Sequence, residues 1–228
     1  MTNLSEISKK YPTDKDFTHN YYNAAYEKHL FPIRNYVRSV CEIGIGGFWK
    51  EMNWLPANSL KVWRDYFPNA QILGLDIVEH KDIEDLDRIT LDCFDQSKRD
   101  FVIEYSNKLN NYDLIIDDGS HNVFDQQITF AHFFKSLHSG GIYILEDLHS
   151  SIEVEIPEKA KMWGWGEPGY VTPLELLENY QKNGNLNVDN EKPYHLTNEE
   201  KQYLEENIAS VEVFHVAPTS ITSIIYKK

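Results

Sequence analysis

Apolar and polar residues follow two different periods in the middle of the chain. Between Ser39 and Glu146, short runs rich in β-branched residues are separated by amphipathic stretches with helical spacing. This is the pattern of parallel strands joined by crossover helices. The predicted strands are Val40 to Ile45, Gln71 to Ile77, Arg88 to Cys93, Tyr112 to Asp117 and Gly141 to Glu146. The predicted helices are Ser59 to Tyr66, Lys98 to Leu109 and Asp125 to Leu137, the last closed by Gly140 and Gly141.

After Asp147 the alternation stops. Met162 to Gly169, which contains Trp163 and Trp165, is predicted to be a loop, either a lid over the sheet edge or a packed surface loop. The remaining predicted elements are helices over Pro173 to Lys182 and Thr197 to Asn207, then strands over Val211 to Val216 and Ile221 to Tyr226 around Pro218 and Thr219. We therefore predict an α/β fold, a doubly wound, mostly parallel sheet with a C-terminal antiparallel hairpin.

Composition and charge narrow the class of protein. With 228 residues, 41% hydrophobic and 25% charged, the chain suits one globular domain with small additions. A net charge of −14 argues against a nucleic-acid partner, because phosphate binding needs clustered Lys and Arg. Cys41 and Cys93 lie in apolar segments, where thiols are usually buried. The apolar runs of the sequence are too short for a signal peptide or a membrane span. We therefore expect a cytoplasmic protein, and a homo-oligomer is compatible with this sequence.

Acidic residues follow two of the predicted strands. Asp117, Asp118 and His121 come after the fourth strand, and Glu146 with Asp147 after the fifth. Carboxylates converging at one sheet edge repel unless a cation or shared protons compensate, and oxygen ligands favour Mg²⁺ or Mn²⁺ over zinc. The pattern therefore predicts a divalent-metal site, although Asp is also common in plain turns. Asp117 is the weaker ligand candidate, because neighbouring residues of an extended segment face opposite ways.

Two histidines accompany these carboxylates. His121 follows Asp118 by three residues, and its unperturbed pKa of about 6.5 suits a general base at neutral pH. The alternative is a solvent-exposed loop histidine. His149 follows Asp147 by two residues and is a candidate for an alternative base or for a partner that orients a metal ligand.

A glycine-rich turn follows the first strand. Glu42, Gly44 and Gly46 lie in this turn, where missing side chains allow a ligand to approach the backbone. A dinucleotide fingerprint would need a small residue at Trp49, which speaks against NAD-type binding. Asp76 ends the second strand, where a carboxylate can accept hydrogen bonds from ribose hydroxyls. Asp92, Asp95 and Gln96 follow the third strand near the expected height of an adenine amino group. We expect one of the three to bind that group and the other two to be turn residues.

Six motifs together resemble those of class I S-adenosylmethionine-dependent methyltransferases, and more narrowly of metal-dependent sugar O-methyltransferases of the mycinamicin and macrocin type. They are Tyr11 to Lys15 with His19, Asn20 and Tyr21, then Glu42 to Gly47, Ser59 to Pro68, Gly74 to Ile77, Ile116 to His121 and Gly140 to Leu148. The resemblance implies a Rossmann-like methyltransferase domain over residues 37–228 behind an N-terminal cap segment, residues 1–36, with a substrate loop or lid at about residues 150–195.

The resemblance also implies roles for individual residues. Asp118, Glu146 and Asp147 would hold Mg²⁺ or Mn²⁺, with His121, or alternatively His149, as the base. The cofactor S-adenosyl-L-methionine would be held by Glu42, Gly44, Gly46, Ser59, Asp76, Asp95, Gln96 and Asp117.

The expected activity is metal-dependent O-methylation of a hydroxyl on a sugar, glycan or natural-product glycoside. Three alternatives stay open at this point. They are methylation of a phosphoryl or phosphoramidate capsule intermediate, a nicotinamide-dependent oxidoreductase, and a non-catalytic binding module that kept the fold.

Overall fold

The computed structural model describes residues 3–13, 15, 22–46, 55–84, 86–152, 165, 169–188, 191–217 and 220–228. Within these residues, seven strands form one sheet. The strands are β1 Ser39–Ile43, β2 Gln71–Asp76, β3 Ile89–Cys93, β4 Tyr112–Asp117, β5 Leu137–Leu145, β6 Ile208–Ala217 and β7 Ser220–Lys227. The helices are α1 Leu4–Ser8, α2 Tyr22–Leu30, α3 Asn58–Tyr66, α4 Arg99–Ser106, α5 Val123–Phe133, α6 Pro173–Asn183 and α7 Asn198–Asn207. Short 3₁₀ turns lie at Phe31–Ile33, Phe134–Ser136 and Leu148–Ser151.

The strand order is β3-β2-β1-β4-β5-β7-β6. The first five strands in this order are parallel, and β7 is antiparallel to both β5 and β6. The strand order reverses between β1 and β4, and ligands of such sheets bind at the carboxyl ends of the strands beside this point. The predicted doubly wound, mostly parallel sheet with a C-terminal antiparallel hairpin is confirmed.

Helices cover both faces of the sheet and form two cores. On one face, Cys41, Ile115 and Tyr143 pack with α4, α5, α6 and α7. On the other face, Val40, Leu114 and Ile144 pack with α1, α2 and α3. Successive residues of each central strand alternate between the two cores, so these strands are buried on both faces and their sequences are almost continuously apolar.

Two predictions from the sequence are wrong in detail. Gly140 and Gly141 do not close a helix, because they lie inside β5, where the register with β4 shifts between Tyr112 and Leu114. Gly140 has a φ of +83°, a backbone conformation that favours glycine and is common at strand irregularities of this kind. Cys41 is buried as expected, but Cys93 is exposed because β3 is an edge strand.

The N-terminal helices pack against the sheet. Leu4 and Ile7 of α1, with Tyr22, Tyr26 and Leu30 of α2, are buried in the same core as α3. The boundary predicted at residue 36 stays a prediction.

Among the described residues, helices fall short of the length and apolar character needed to cross a membrane, and the cytoplasmic location stays a prediction.

Candidate active site

The carboxyl ends of β1, β4 and β5 are joined by backbone hydrogen bonds. The Asp118 amide donates to the Ile43 carbonyl at 2.8 Å, and the Glu146 amide donates to the Asp117 carbonyl at 3.0 Å. The parallel ladder thus continues one residue past β4 and β5. Asp118 and Glu146 are therefore placed at one edge of the sheet, as their positions after apolar runs predicted, and Glu42 of β1 lies beside them around the ammonium of Lys15.

Asp118, His121 and Asp147 form a compact group at this edge. Their potential ligand atoms all lie within 4.8 Å of one another. His121 Nε2 is 3.3 Å from Asp147 Oδ2 and 3.9 Å from Asp118 Oδ1. The two carboxylates offer the oxygen ligands that Mg²⁺ or Mn²⁺ prefers, so this part of the group fits the predicted metal, with the imidazole of His121 beside it.

The backbone and charge of this group favour a functional role. His121 and Asp147 have φ values of 56° and 53°, a conformation that costs energy for a residue with a side chain. Burial would raise the pKa of Asp147, but the neighbouring His121 and His149 side chains, the Tyr22 hydrogen bond and the Lys15 ammonium together outweigh it and hold that pKa below its usual value. Asp147 is therefore ionised at neutral pH, as a cation ligand must be.

The predicted ligand Glu146 lies beside the group of Asp118, His121 and Asp147. Its side chain is fully buried, and Glu146 Oε2 is 3.2 Å from the ammonium of Lys15. The same ammonium contacts Asp118 Oδ2 at 2.5 Å and Glu42 Oε1 at 3.4 Å. Lys15 lies in the predicted N-terminal cap segment, but these contacts were not predicted, because 103 residues of chain separate Lys15 from Asp118.

Helix α2 adds a further contact that the sequence analysis missed. The Tyr22 hydroxyl donates to Asp147 Oδ1 at 2.6 Å and also lies 3.3 Å from the Ile221 carbonyl oxygen. Burial first, and then the charges of Asp147 and Glu146, raise the pKa of Tyr22, so the hydroxyl keeps its proton and remains a donor. Nothing in the spacing of Tyr22 and Asp147 along the chain signals this pair.

The glycine turn lies beside the metal candidates. Gly44 and Gly46 both have φ of +79°. A Cβ on Gly44 would lie 1.9 Å from the Asp118 carbonyl oxygen, so a side chain there would displace the chain leaving β4. The turn therefore requires glycine at residue 44, and it brings β1 and β4 together at the point where the strand order reverses. The approach of a ligand to this turn stays a prediction.

Three other proposed cofactor residues, Glu42, Ser59 and Asp76, make hydrogen bonds beside the glycine turn. Ser59 Oγ, at the start of α3, donates to Glu42 Oε2 at 2.8 Å. Asp76 accepts from the Ile45 amide at 3.0 Å and from the Val78 amide at 2.9 Å. These contacts fix the side chains that line the glycine turn.

Asp117 points away from Asp118, as predicted for neighbouring residues in a strand. It is fully buried and accepts from Gln96 Nε2 at 2.8 Å and from the Tyr143 hydroxyl at 3.1 Å. Burial dominates over these hydrogen bonds and raises the pKa of Asp117 to about 7. Gln96 Oε1 in turn accepts from the Ser120 amide at 2.8 Å, so Gln96 links the chain after β3 to the loop after β4.

Asp95 and Asp92 have local partners. Asp95 accepts from Ser97 Oγ at 2.6 Å and pairs with Lys98 at 2.7 Å, which lowers its pKa. Asp92 accepts from the Tyr105 hydroxyl at 2.7 Å. Both have the geometry of turn and strand-end residues.

His149 and Trp165 border the group of Asp118, His121 and Asp147. His149 Nδ1 is 3.9 Å from Asp147 Oδ1. The Trp165 ring meets His121 and His149 edge to face, with centroids 5.5 and 6.1 Å away, and its Nε1 donates to the Ser120 carbonyl at 3.0 Å. Trp165 belongs to the loop that was predicted as a lid or a packed surface loop. Most of that loop lies outside the described residues, and so do several other residues named in the predictions: Trp163, Asp14, His19, Asn20, Tyr21, Gly47, Trp49, Pro218 and Thr219.

The sequence is similar to those of several curated enzymes. Mycinamicin VI 2''-O-methyltransferase of Micromonospora griseorubida is 35% identical over 145 residues, which are 64% of this chain and 36% of that protein. Demethylmacrocin O-methyltransferase of Streptomyces fradiae is 33% identical over the same shares of both chains. The chain thus spans about a third of the length of the curated relatives it matches. No family model matches the sequence.

Solved structures show the same likeness over nearly the whole chain. The MycE methyltransferase of the mycinamycin biosynthetic pathway, in complex with Mg and SAH, has a TM-score of 0.75 and 27% identity and covers 99% of this chain and 55% of its own. A complex of MycE that also holds mycinamycin VI gives a TM-score of 0.71. The chain therefore has the fold of MycE and resembles the sugar O-methyltransferases in sequence, which confirms the resemblance that its motifs predicted.

Proposed function

We propose that this protein is an S-adenosylmethionine-dependent and divalent-metal-dependent O-methyltransferase that acts on a hydroxyl of a sugar in a glycan or natural-product glycoside. The observation that carries the proposal is the convergence of Asp118, His121 and Asp147, with ligand atoms within 4.8 Å, beside the glycine turn after β1. The similarity to MycE with Mg and SAH and to curated sugar O-methyltransferases supports it. These relatives give no support to the phosphoryl, nicotinamide or binding-module alternatives.

Asp118, Glu146 and Asp147 would hold the metal, and the buried Tyr22 hydroxyl would fix the orientation of Asp147 through its 2.6 Å hydrogen bond. A bound Mg²⁺ or Mn²⁺ would supply Lewis acidity that lowers the pKa of the acceptor hydroxyl. The carboxylates fix where that hydroxyl lies relative to the cofactor, which contributes to the rate through orientation.

The cofactor would lie along the strand ends of β1 and β2. Gly44 and Gly46 leave the backbone of the turn open to a close approach, and Glu42 and Asp76 present carboxylates on either side of it. Ser59, Asp95, Gln96 and Asp117 complete the proposed cofactor residues. Gln96 and Asp117 are hydrogen-bonded to each other, so they would act as one unit at the adenosine end.

His121 is the proposed general base. Its Nε2 faces Asp147 and Asp118, so an acceptor hydroxyl held by these carboxylates would lie within reach of the imidazole. The edge-to-face contact with Trp165 holds the ring in this direction. His149, whose Nδ1 lies 3.9 Å from Asp147 Oδ1, remains the alternative base.

The test is transfer of labelled methyl from S-adenosylmethionine to a panel of glycans, glycosides and nucleotide sugars, with and without a chelator. We expect His121→Ala and Asp118→Ala each to lower transfer by about 100-fold or more while cofactor affinity changes only a few-fold. His149→Ala serves as the matched variant, and a larger loss there than in His121→Ala would make His149 the base. Full turnover in the presence of chelator would contradict the metal role.

A further inference from the structure

Lys15 is a buried cation among the carboxylates of three strands. Its side chain is 3% exposed, and its ammonium lies 2.5 Å from Asp118 Oδ2, 3.2 Å from Glu146 Oε2 and 3.4 Å from Glu42 Oε1. Glu42 and Glu146 are fully buried. Without a nearby positive charge, carboxylates this close and this deeply buried would repel one another strongly.

The contacts of Lys15 overlap the proposed metal ligands. The two oxygens of Asp118 have different partners: Oδ2 contacts the Lys15 ammonium, and Oδ1 faces His121. Glu146 Oε2 lies toward Lys15 rather than in the group of Asp118, His121 and Asp147. A divalent cation held by Asp118, Glu146 and Asp147 would therefore share two of its carboxylates with the ammonium, and the two positive charges would repel each other.

We infer that Lys15 is a positioning residue whose ammonium acts as the counter-ion of the metal-free site and competes with the divalent cation for Asp118 and Glu146. This inference rests on the proposed function, since it concerns the proposed metal ligands. In the metal-free protein Lys15 holds the two carboxylates beside each other. When a cation takes their oxygens, the remaining contact with Glu42 keeps the ammonium on the cofactor side of the site.

The backbone around Lys15 is anchored without its ammonium. The Asn23 amide donates to the Lys15 carbonyl at 3.1 Å, and Asn58 Nδ2 donates to the Pro12 carbonyl at 3.0 Å. A substitution that removes only the charge therefore leaves these contacts of the segment in place. This makes Lys15→Met a test of the charge rather than of the fold.

The experiment is a calorimetric titration of the full chain with Mn²⁺, without cofactor or acceptor, for wild type, Lys15→Met and the control Lys28→Met. Lys28 is an exposed lysine of α2 that pairs with Glu212 at 2.5 Å. We expect Lys15→Met to bind Mn²⁺ about five-fold or more tightly than wild type, because a repelling charge beside the cation is removed. Without metal, Lys15→Met should have a lower melting temperature than wild type. Added Mn²⁺ should raise the melting temperature of Lys15→Met more than that of wild type. Lys28→Met should match wild type in Mn²⁺ affinity and in both melting temperatures.

The direction of the change separates the inference from a merely structural role, because damage to the site would weaken cation binding. Unchanged or weaker binding by Lys15→Met, with wild type binding normally, would overturn the role of Lys15 and leave the proposed function standing. No binding by wild type would overturn the proposed metal dependence and this inference with it. If Lys15→Met does not fold, Lys15→Gln replaces it, and if neither folds, recovery of folding by Mn²⁺ supports the inference and no recovery overturns it.

Discussion

At the scale of single residues, Gly44 is the point where the turn after β1 meets the chain leaving β4. Its amide donates to the Leu75 carbonyl at 2.8 Å, and the Asp118 carbonyl occupies the space that a side chain would need. The position of Asp118, and with it one proposed metal ligand, thus depends on a missing methyl group at residue 44.

Gly44→Ala should therefore destabilise the protein and weaken cation binding together. A left-handed conformation costs an alanine about 1 kcal/mol, and the clash with the Asp118 backbone adds to this cost. Gly46→Ala is the matched control, because Gly46 has the same φ of +79° and no described atom lies within 4 Å of the added Cβ. Urea denaturation and Mn²⁺ titration of both variants measure the difference. Equal losses in the two variants would contradict a steric role for Gly44.

At the scale of elements, Glu200 joins three helices on one face of the sheet. Its Oε1 pairs with Arg99 of α4 and lies 2.6 Å from His132 Nε2 of α5, while its Oε2 accepts from the amide of Thr197, the N-cap of α7. Burial alone would raise the pKa of Glu200, but these hydrogen bonds outweigh it and hold the pKa at about 2. The ionised carboxylate therefore stabilises the folded state.

The pH dependence of this stabilisation has a definite sign. The folded pKa of Glu200 lies below its usual 4.5, so the contribution is complete above pH 4.5 and is lost as the pH falls toward 2. Glu200→Gln should lower the free energy of unfolding by about 2 kcal/mol at pH 7, and the deficit relative to wild type should shrink between pH 4.5 and 3. Urea denaturation at several pH values checks this.

Glu104→Gln is the control for Glu200. Glu104 pairs with Lys108 at 2.8 Å on the exposed face of α4, where water screens the interaction. We expect no measurable loss of stability in this variant. A deficit in Glu200→Gln that stays constant with pH would contradict the assignment of the stabilisation to the ionised carboxylate.

Most elements could be predicted from local sequence because the central strands are buried on both faces. Tyr112–Asp117 was predicted residue for residue, and Pro173–Asn183 and Asn198–Asn207 within one residue at each end. The start of β5 was not, because Gly140 and Gly141 resemble a helix stop in sequence. Their place in a strand follows from the pairing of Leu137 and Ile142, on either side of them, with Tyr112 and Leu114 of β4, which is not local information.

At the scale of the whole molecule, the last strand of the chain is an interior strand. β7 pairs with β5 through Tyr226 and Ser223 and with β6 along most of its length, while β6 pairs, among the described strands, with β7 alone. The sequence predicted the hairpin but not which of its strands joins the parallel sheet.

Amide hydrogen exchange should show this order directly. We expect the β7 amides of Ile224 and Ile225 to exchange about ten-fold or more slowly than those of β6, because an interior strand opens only with its neighbours. Mass spectrometry of peptides from Ile208–Ala217 and Ser220–Lys227 makes the comparison. Faster exchange in β7 than in β6 would place β6 beside β5 instead.

The candidate site could be predicted only in part. Asp118, His121 and Asp147 were identified because polar residues after apolar strands meet at one edge of a parallel sheet. The contacts of Lys15 and Tyr22 were not predicted, because they depend on how the N-terminal segment packs against the folded sheet. Tyr22 reaches Asp147 across 125 residues of chain, a separation that carries no local pattern.

This packing has a consequence for biosynthesis. The Tyr22 hydroxyl lies 3.3 Å from the Ile221 carbonyl oxygen, and the Tyr26 hydroxyl lies 3.2 Å from Thr222 Oγ1. Ile221 follows Tyr22 by 199 residues, so α2 is translated well before these docking partners in β7. A nascent chain therefore cannot complete the environment of Asp147 until β7 has been translated, and the proposed cation site takes its final form only after that step.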